Sequence, residues 1–433
     1  MQEPPVVPIR DLKAHEGKTV QVQGWLLGRR SGKKLHFLQV RDGTGVVQAV
    51  AGIDDVGEEV FARAGAPGQE ASLLVTGKAR ADARAPGGVE LSLVDVREIG
   101  PSADYPLGKQ SHGPDFLLSN RHLWLRSRRP AATLRVRDTV IRALRDFLHR
   151  EGFVCVDAPM FTPNACEGTT TLFEVDYFEE QRAYLTQSGQ LYMEAAAMAL
   201  GKVYCLGPAF RAERSKTRKH LTEFWMLEPE MAFAGLDDVM RLVEALLVAV
   251  VQRVLEENRT DLATLERDVT KLEQVVPPFP RITYDEAAAL LREKSGFVYG
   301  NDFGAPDEEA LAAGHTRPLM IHRWPHEVKA FYMRRDPQNE RLALGVDVIA
   351  PEGYGEIVGG GERATDLAFL ERQIADHKLP KEAFEWYLDL RRYGSVPHAG
   401  FGMGIERTVA WICGLPHVRE AIPFPRMLYR IYP

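Results

Sequence analysis

The chain has 433 residues, of which 45% are hydrophobic and 26% are charged, and its formal net charge at pH 7 is −6. This length allows two or three domains with a large core, and the composition is that of an ordinary globular protein. The small negative charge argues against nucleic-acid binding through an overall positive field, so any RNA contact must depend on local basic patches.

The spacing of the cysteines and the hydropathy of the chain indicate the cellular compartment of the protein. The four cysteines, at positions 155, 166, 205 and 413, have no CxxC spacing, which argues against a zinc site or a disulfide framework. The N-terminal residues lack a cationic flank followed by an apolar core, so no signal peptide is predicted. The most apolar stretch, 242–255, contains Glu244 and Arg253, which indicates an amphipathic helix rather than a membrane span. We therefore expect a cytoplasmic protein with no membrane partner.

Residues 1–100 are predicted to form a small all-β unit. Strand-like runs are separated by the turns SGKK, DGTG and APGG, and they read TVQVQGWLLGRR, LHFLQVRD, GVVQAVA, ASLLVTGKAR and GVELSLVDVREI. The segment DDVGEEVFARAG predicts one short helix between the third and fourth runs. Five strands with one such helix are typical of an OB-fold barrel, which commonly binds single-stranded nucleic acid.

Residues 101–130 have little hydrophobic periodicity and are interpreted as a hinge and linker. Residues 131–433 are interpreted as the larger domain. An apolar stripe that includes Val136, Val140 and Leu144 predicts a helix over about 131–151, and Gly152 provides its stop. The following FVCVDAPMF predicts a strand that meets Pro159. From periodicity alone, the helix could equally pack within one subunit or form an interface between two.

The stretch 203–233, VYCLGPAFRAERSKTRKHLTEFWMLEPEMAF, predicts two strands joined by a strongly charged loop. Like charges crowded at a turn cost free energy unless an anion lies among them. Arg211 and Glu213 alternate at the end of the first strand and so share a face. Arginine binds phosphate with two hydrogen bonds, and a carboxylate accepts from an exocyclic amine. The pair therefore indicates a nucleotide site.

Further candidate residues follow position 344. In LGVDVIAPEGYGEIVGGGER, the acids Asp347 and Glu356 are predicted on neighbouring strands, where two carboxylates facing a nucleotide suit Mg²⁺. In GFGMGIER, glycines 400, 402 and 404 allow close approach of the backbone to a nucleotide, and Arg407 follows at the start of a helix. The P-loop motif GxxxxGK[ST] is missing from the sequence, so a P-loop fold is not expected.

FRAE with its basic loop and HLTEFWMLEPE resembles the second motif of class II aminoacyl-tRNA synthetases, in the aspartyl/asparaginyl/lysyl subgroup. GFGMGIER is similar to the third motif, and the helix, strand and Pro159 are similar to the first, which forms a homodimer interface. The resemblance covers nearly the whole chain with its motifs in order. It implies an α+β catalytic domain, in which helices flank a mostly antiparallel sheet, beside an N-terminal five-stranded OB-fold barrel that binds the anticodon.

The resemblance also assigns roles at an ATP site. Arg211 would stabilise charge at the α-phosphate, Arg407 would hold the γ-phosphate, and Glu356 with Asp347 would bind Mg²⁺. Phe224 would stack on the adenine and Glu213 would accept from its amino group. His220, in the same motif, is included among the ATP-binding residues.

An amino-acid pocket is implied by residues 161–195 and two later positions. Glu167 resembles the residue of a mobile loop that closes on the substrate α-amino group, and Ser188 and Gln190 resemble the strand end that positions it. Arg363 matches the arginine that holds the end of the substrate side chain. Aspartate enzymes of the subgroup place a lysine where this chain has Met193 and an aspartate where it has Glu228. A neutral carboxamide needs no such cation, and the longer acid would repel a carboxylate.

The pair Met193 and Glu228 favours the asparagine branch of the subgroup, whose substrates are ATP, L-asparagine and tRNA(Asn). Met193 as simple core packing is the alternative for that position. In the barrel, Phe37 matches the aromatic that stacks on an anticodon base, and Gln48 matches the residue that reads the middle base. Four cations of the same region are expected to follow phosphates, namely Arg29, Arg30, Lys33 and Lys34. From the residues alone, Phe37 could instead pack in the barrel core.

Three other functions are open at this point. An aspartate-specific synthetase of relaxed specificity is disfavoured by Met193 and Glu228. A synthetase-like paralogue that forms free asparagine usually lacks the anticodon barrel. A tRNA-binding module with an inactive site is disfavoured because Arg211, Glu356 and Arg407 are all present.

Overall fold

The computed structural model describes residues 3–108, 110–166, 172–178 and 181–433. The chain divides into two compact units, residues 1–112 and 113–433. The division lies within the stretch that lacked periodicity in the sequence. Part of that stretch is helical, in two segments too short to produce a periodic pattern.

The first unit is a closed barrel of five strands in the order β1-β2-β3-β5-β4. Its elements are β1 (Thr19–Ser31), β2 (Leu35–Arg41), β3 (Val46–Gly52), α1 (Ile53–Gly65), β4 (Ser72–Ala81) and β5 (Val89–Gly100). Strands β3 and β5 pair in parallel, and the other neighbours are antiparallel. Alternate side chains such as Val20, Val22 and Leu38 fill the interior, as strands with one buried face require. The predicted barrel, with its helix after the third strand, is confirmed.

The second unit is built on a nine-stranded sheet in the order β12-β13-β15-β16-β17-β11-β10-β6, with β14 paired to β15. The strands are β6 (Val154–Cys155), β10 (Lys202–Phe210), β11 (Glu223–Ala232), β12 (Arg281–Thr283), β13 (Leu319–Pro325), β14 (Arg335–Asp336), β15 (Asn339–Ala350), β16 (Gly355–Glu362) and β17 (His398–Gly404). A separate three-stranded sheet contains β7 (Phe161–Thr162), β8 (Glu174–Tyr177) and β9 (Gln181–Leu185). The large sheet is antiparallel except for the pairs β12–β13 and β6–β10, as predicted for the catalytic domain.

Helices flank this sheet. They are α2 (Pro114–Ser119), α3 (Arg121–Trp124), α4 (Arg128–Arg150), α5 (Gln190–Leu200), α6 (Leu236–Glu257), α7 (Arg259–Thr264), α8 (Val269–Glu273), α9 (Tyr284–Ser295), α10 (Ala305–Ala312), α11 (Leu367–Asp376), α12 (Glu385–Arg392) and α13 (Ile405–Cys413). The apolar stripe of α4, with Val136 and Leu144, packs in one core with Val243 and Leu247 of α6 and with the sheet. Among the helices of the described residues, none is long and apolar enough to cross a membrane.

The strand predicted over FVCVDAPMF is mostly wrong. Val154 and Cys155 pair with the edge of β10, and the Val156 N–H donates to the Tyr204 carbonyl at 2.8 Å. Pro159 farther along has no N–H to donate to a ladder. Helix α4 is present but begins at Arg128, a few residues before the predicted start.

Candidate active site

The predicted charged hairpin is confirmed. Strands β10 and β11 pair antiparallel with Phe210 opposite Glu223, and residues 211–222 connect them. The N–H of Arg211 donates to the carbonyl of Thr222 at 3.0 Å, which continues the pairing one residue beyond the strand end. This contact fixes the direction in which the loop leaves the sheet.

A cleft opens between this loop, β16 and β17. Six residues predicted for ATP line it together, namely Arg211, Glu213, His220, Phe224, Glu356 and Arg407. Much of the remaining wall is formed by Gly359, Gly402 and Gly404 and by the side chains of Lys219 and Met226. Residues separated by nearly 200 positions thus surround one cavity with a mixture of cationic, acidic and aromatic groups.

At the loop end of the cleft, cations and acids are interleaved. The guanidinium carbon of Arg211 lies 5.4 Å from the ring centroid of Phe224. The Nε2 of His220 lies 3.7 Å from the Glu213 carboxylate. Burial lowers the pKa of His220, and the charge of Arg407 lowers it further. A neutral His220 at pH 7 can therefore approach a nucleotide without adding a charge.

Arg407, in the first turn of α13, is oriented by backbone groups. Its Nη1 donates to the Glu356 carbonyl at 2.8 Å and its Nε donates to the Lys219 carbonyl at 3.3 Å. Neutral carbonyls hold the guanidinium in place without cancelling its charge. Arg407 is therefore available to an anionic ligand such as a phosphate.

Asp347 on β15 and Glu356 on β16 face each other across Gly359. A Cβ added at Gly359 would lie 2.6 Å from the Glu356 Oε1 and 3.7 Å from the Asp347 Oδ1. The Nζ of Lys329 lies 2.6 Å from the Asp347 Oδ2. Burial raises the pKa of Asp347 to about 7, while the Lys329 charge opposes that rise and the Glu356 carboxylate adds to it. Two carboxylates beside one ammonium leave an excess of negative charge at this point.

These two carboxylates suit the magnesium ion that accompanies ATP. Mg²⁺ is commonly bound through one or two carboxylates together with substrate phosphates. Within the described residues, no group of three or more His, Cys, Asp or Glu side chains is placed to hold a metal by itself. The pair Asp347 and Glu356 matches the one or two carboxylates that a nucleotide-bound Mg²⁺ commonly takes.

A second group of predicted residues surrounds Glu228 on β11. The N–H of Gly189 donates to its Oε2 at 2.8 Å, and the hydroxyl of Ser188 donates to its Oε1. Cys205, directly opposite on β10, places its sulfur 3.5 Å from the Oε2. Glu228 is therefore held in one position at the predicted amino-acid pocket. Glu167, also predicted there, lies outside the described residues.

Met193 and Gln190 both project from the first turn of α5 into the interior. Met193 is 1% exposed and packs with Ala197, Val203 and Cys205, in agreement with the alternative of core packing. Gln190 donates from its Nε2 to the carboxylate of Glu194 at 3.1 Å. Met193 is thus an apolar neighbour of Cys205. The side chain of Gln190 is held by Glu194, a residue that was not predicted from the sequence.

Glu194 is the centre of a buried polar network. Its carboxylate accepts from the Tyr387 hydroxyl at 2.8 Å and from Arg391 at 2.7 Å, and the Nε2 of His398 lies 2.9 Å away. Burial alone would raise the pKa of Glu194, but Arg391, His398 and Arg363 hold it well below its usual range. The available signal was one acid on the otherwise apolar helix QLYMEAAAMAL, four residues after Gln190.

Arg363 is 2% exposed and is paired with Glu230 rather than open to solvent. Its Nε donates to the Glu230 Oε1 at 3.1 Å. A Cβ added at Gly400 would lie 2.3 Å from this same carboxylate. The glycine at position 400 makes room for Glu230, and its expected approach to a nucleotide stays a prediction. Gly402 and Gly404 do line the cleft.

In the barrel, Phe37 lies between the buried His36 and Leu38 on the opposite, partly exposed face of β2. The alternative that it packs in the barrel core is therefore wrong. Arg30 lies 5.5 Å from the Phe37 ring and 3.5 Å from the Gln48 side chain. Gln48 also donates to Glu90 at 3.2 Å.

Arg29 does not join this group, because its Nη1 donates to the Pro67 carbonyl at 2.8 Å. The outer face of the barrel therefore combines a ring, an amide and Arg30, one of the cations expected to follow phosphates.

Known families match both units. Residues 113–428 match the family model described as tRNA synthetases class II (D, K and N), and residues 20–99 match the OB-fold nucleic acid binding domain. The asparagine–tRNA ligase of Sorangium cellulosum is 59% identical over the full length of both chains. That of Desulforamulus reducens is 54% identical over 98% of this chain and 99% of its own. Asparaginyl-tRNA synthetase from Pyrococcus horikoshii, solved with asparaginyl-adenylate, is 43% identical and superposes with a TM-score of 0.96 over the whole of both chains.

The two-unit architecture, the hairpin cleft and these matches define the class: the chain belongs to the class II tRNA synthetases of the D, K and N group. Within that class it is a member of the asparagine–tRNA ligase family.

Proposed function

We propose that the chain is an ATP-dependent asparagine–tRNA ligase that forms asparaginyl-adenylate and transfers asparagine to the 3′ end of tRNA(Asn). The carrying observation is the full-length identity of 59% to an asparagine–tRNA ligase. The cleft beside the charged hairpin, with its cations, carboxylates and Phe224, is consistent with an ATP site.

In the first step, an oxygen of the asparagine carboxylate attacks the α-phosphorus of ATP, a new P–O bond forms and pyrophosphate leaves. Arg211 stabilises the charge that develops at the α-phosphate, and Arg407 holds the γ-phosphate. Phe224 stacks on the adenine, and Glu213 accepts from its amino group. Because the substrate carboxylate is the nucleophile, catalysis consists of positioning and electrostatic stabilisation.

Magnesium enters this proposal as part of the nucleotide substrate. Asp347 and Glu356 would hold the ion, which would supply positive charge next to the phosphates. Lys329 keeps Asp347 in position through their 2.6 Å contact.

In the second step, a terminal hydroxyl of the tRNA attacks the carbonyl carbon of the adenylate, the ester forms and AMP leaves. The outer face of the barrel, with Phe37, Gln48 and either Arg29 or Arg30, binds the anticodon. An exposed ring with a cation beside it suits base stacking next to a phosphate.

Glu228 selects the amide substrate. A fixed carboxylate accepts a hydrogen bond from a side-chain NH2 and repels a carboxylate, so asparagine is favoured over aspartate. Ser188, Gln190 and Glu167 hold the α-amino group. Arg363 acts at the end of the substrate side chain; the support for this is the motif resemblance, since its pairing with Glu230 occupies part of its guanidinium.

The chain acts as a cytoplasmic homodimer in this proposal. Strand β6 is the last strand of the large sheet, and Val154, Met160 and Phe161 around it are 43%, 50% and 51% exposed. An edge strand with exposed apolar neighbours is suited to an interface with a second copy. Sedimentation of the purified chain and of Val154→Lys tests this, and a monomeric wild type would contradict it.

The deciding experiment compares tRNA-independent ATP–pyrophosphate exchange with asparagine and with aspartate. Strong exchange with asparagine alone supports the proposed substrate. Exchange with aspartate would keep the synthetase chemistry but overturn the role given to Glu228.

A further inference from the structure

A tight turn close to the hairpin loop has an unusual residue at its tip. Across residues 427–430, the Met427 N–H donates to the Arg430 carbonyl at 3.1 Å, and the Arg430 N–H donates to the Met427 carbonyl at 2.9 Å. Tyr429 occupies the second central position with φ +68°. In a type II turn this position favours glycine, because a side chain in the left-handed region is strained. The structure thus maintains an unfavourable backbone conformation at an aromatic residue.

The turn is fixed against the rest of the second unit. The N–H of Thr222, at the end of the hairpin loop, donates to the Arg426 carbonyl at 2.9 Å. Arg430 reaches α2, with Nη2 3.3 Å from the Asp115 carboxylate and Nη1 3.3 Å from the Ser119 hydroxyl. These contacts hold the turn beside the loop, so the position of Tyr429 is determined by its neighbours.

The strained residue does not bury its ring. Tyr429 is 84% exposed, so burial of its side chain does not offset the backbone cost. The Nζ of Lys216, from the hairpin loop, lies 5.3 Å from its ring centroid. The same loop places Arg211, Lys219 and His220 in the nucleotide cleft. An aromatic ring with an ammonium over one face therefore lies next to the loop that borders the cleft.

Backbone strain retained without burial points to a function for the side chain. An exposed aromatic ring stacks on any nucleobase, and a neighbouring ammonium contacts the adjoining phosphate. We propose that Tyr429 and Lys216 form a stacking platform for an unpaired base near the 3′ end of tRNA. This rests on the proposed function, because the terminal hydroxyl can react only if the 3′ end passes the loop and enters the cleft.

The test uses the full chain and Tyr429→Gly, which removes the ring and relieves the backbone strain. We expect an unfolding temperature no lower than that of the wild type and unchanged pyrophosphate exchange, with KM for tRNA raised roughly tenfold, as loss of one stacked base implies. Tyr429→Phe keeps the ring and should keep the wild-type KM. Tyr432→Ala is the matched control, since Tyr432 is 70% exposed in the same segment.

Binding of tRNA that lacks its 3′ unpaired nucleotides tests whether the 3′ end is what binds to Tyr429 and Lys216. The difference between wild type and Tyr429→Gly should disappear with this RNA. A difference that persists with this RNA overturns the platform, and so does an unchanged KM for intact tRNA. A shift in oligomeric state also overturns it, because that would indicate a second copy on this surface. Absence of asparagine-dependent exchange in the wild type would instead overturn the proposed function.

Discussion

The carboxylate of Glu228 accepts a hydrogen bond from the backbone N–H of Gly189 at 2.8 Å, and both residues are buried. The Ser188 hydroxyl donates to the other carboxylate oxygen. Donors directed at both oxygens stabilise a buried carboxylate and prevent its rotation. A charge fixed in this way can discriminate between substrates that differ only in charge at one end.

Replacing this charge should weaken discrimination. In Glu228→Gln we expect the ratio of kcat/KM for asparagine to that for aspartate to fall by at least about tenfold, because the repulsion of the aspartate side chain is lost. Pyrophosphate exchange with each amino acid measures the ratio. Cys205→Ser is the control, since its side chain contacts the same Oε2 at 3.5 Å but carries no charge. An unchanged ratio in Glu228→Gln would mean that selection lies elsewhere.

Arg407 should act in activation and not in tRNA binding. Its two described partners are backbone carbonyls, so Arg407→Ala removes a cation without leaving a buried acid unpaired. We expect exchange to fall by about 100-fold or more, with the Kd for tRNA nearly unchanged in a filter-binding assay. Arg407→Lys keeps the charge but loses the planar fork, and should be intermediate. Parallel loss of exchange and of tRNA binding would assign Arg407 a structural role.

The raised pKa of Asp347 predicts that the KM for Mg·ATP depends on pH. Since burial raises that pKa to about 7, the carboxyl is largely protonated below pH 7, and a magnesium ion must displace the proton. KM for Mg·ATP should therefore decrease as pH rises from 6 towards 7, by up to about tenfold per pH unit, and level off above pH 7.

Asp347→Asn should abolish this dependence in initial-rate exchange assays and raise the magnesium requirement. Glu340→Gln, an exposed acid on the same strand, should retain the dependence. A pH profile that survives in Asp347→Asn would exclude Asp347 as the titrating group.

Glu194 should contribute to the folding stability of the chain and, through Gln190, to the binding of asparagine. Glu194→Gln removes the charge that balances Arg391 in a wholly buried network. Uncompensated buried charge costs about 3–5 kcal/mol, so the free energy of unfolding in urea should fall by that order and KM for asparagine should rise. Glu371→Gln breaks an exposed pair with Lys381 and should cost less than about 1 kcal/mol. Equal losses in the two variants would contradict the network.

The hairpin and the glycine-rich strand could be predicted from sequence because their determinants are local. The order of apolar runs predicts the two strands, whereas Arg211 and Glu213 lie in the loop just after β10 and not on the strand where their alternation was expected. When β11 and β17 pair, these local patterns meet in one cleft. The residues predicted for ATP consequently lie together.

The interior of the amino-acid pocket could not be predicted in this way. Glu194 meets Arg391 and His398, about 200 positions later in the chain, and no local pattern relates these residues. Arg363 was predicted to face a ligand, yet its partner is Glu230 on another strand. Buried ion pairs are chosen by tertiary packing, whereas strand periodicity reports only which side of an element is buried.

Phe37 should affect charging of tRNA and leave adenylate formation intact. Its ring is on the outer face of the barrel, with Arg30 at 5.5 Å. Stacking on a base contributes about 1–3 kcal/mol, so Phe37→Ala should lower kcat/KM for aminoacylation by roughly tenfold or more, with pyrophosphate exchange within error of wild type. Phe37→Trp keeps a stacking face and should charge tRNA well.

The adjacent Leu38 provides the matched control, because it is fully buried in the barrel core. Leu38→Ala should cost about 2–5 kcal/mol of stability through the cavity it creates, a loss visible as a lower Tm of the barrel. Phe37→Ala should leave that Tm nearly unchanged, since its side chain faces outward. If Phe37→Ala instead lowered the Tm as Leu38→Ala does, and adenylate formation fell with it, the ring would be supporting the fold rather than binding the anticodon.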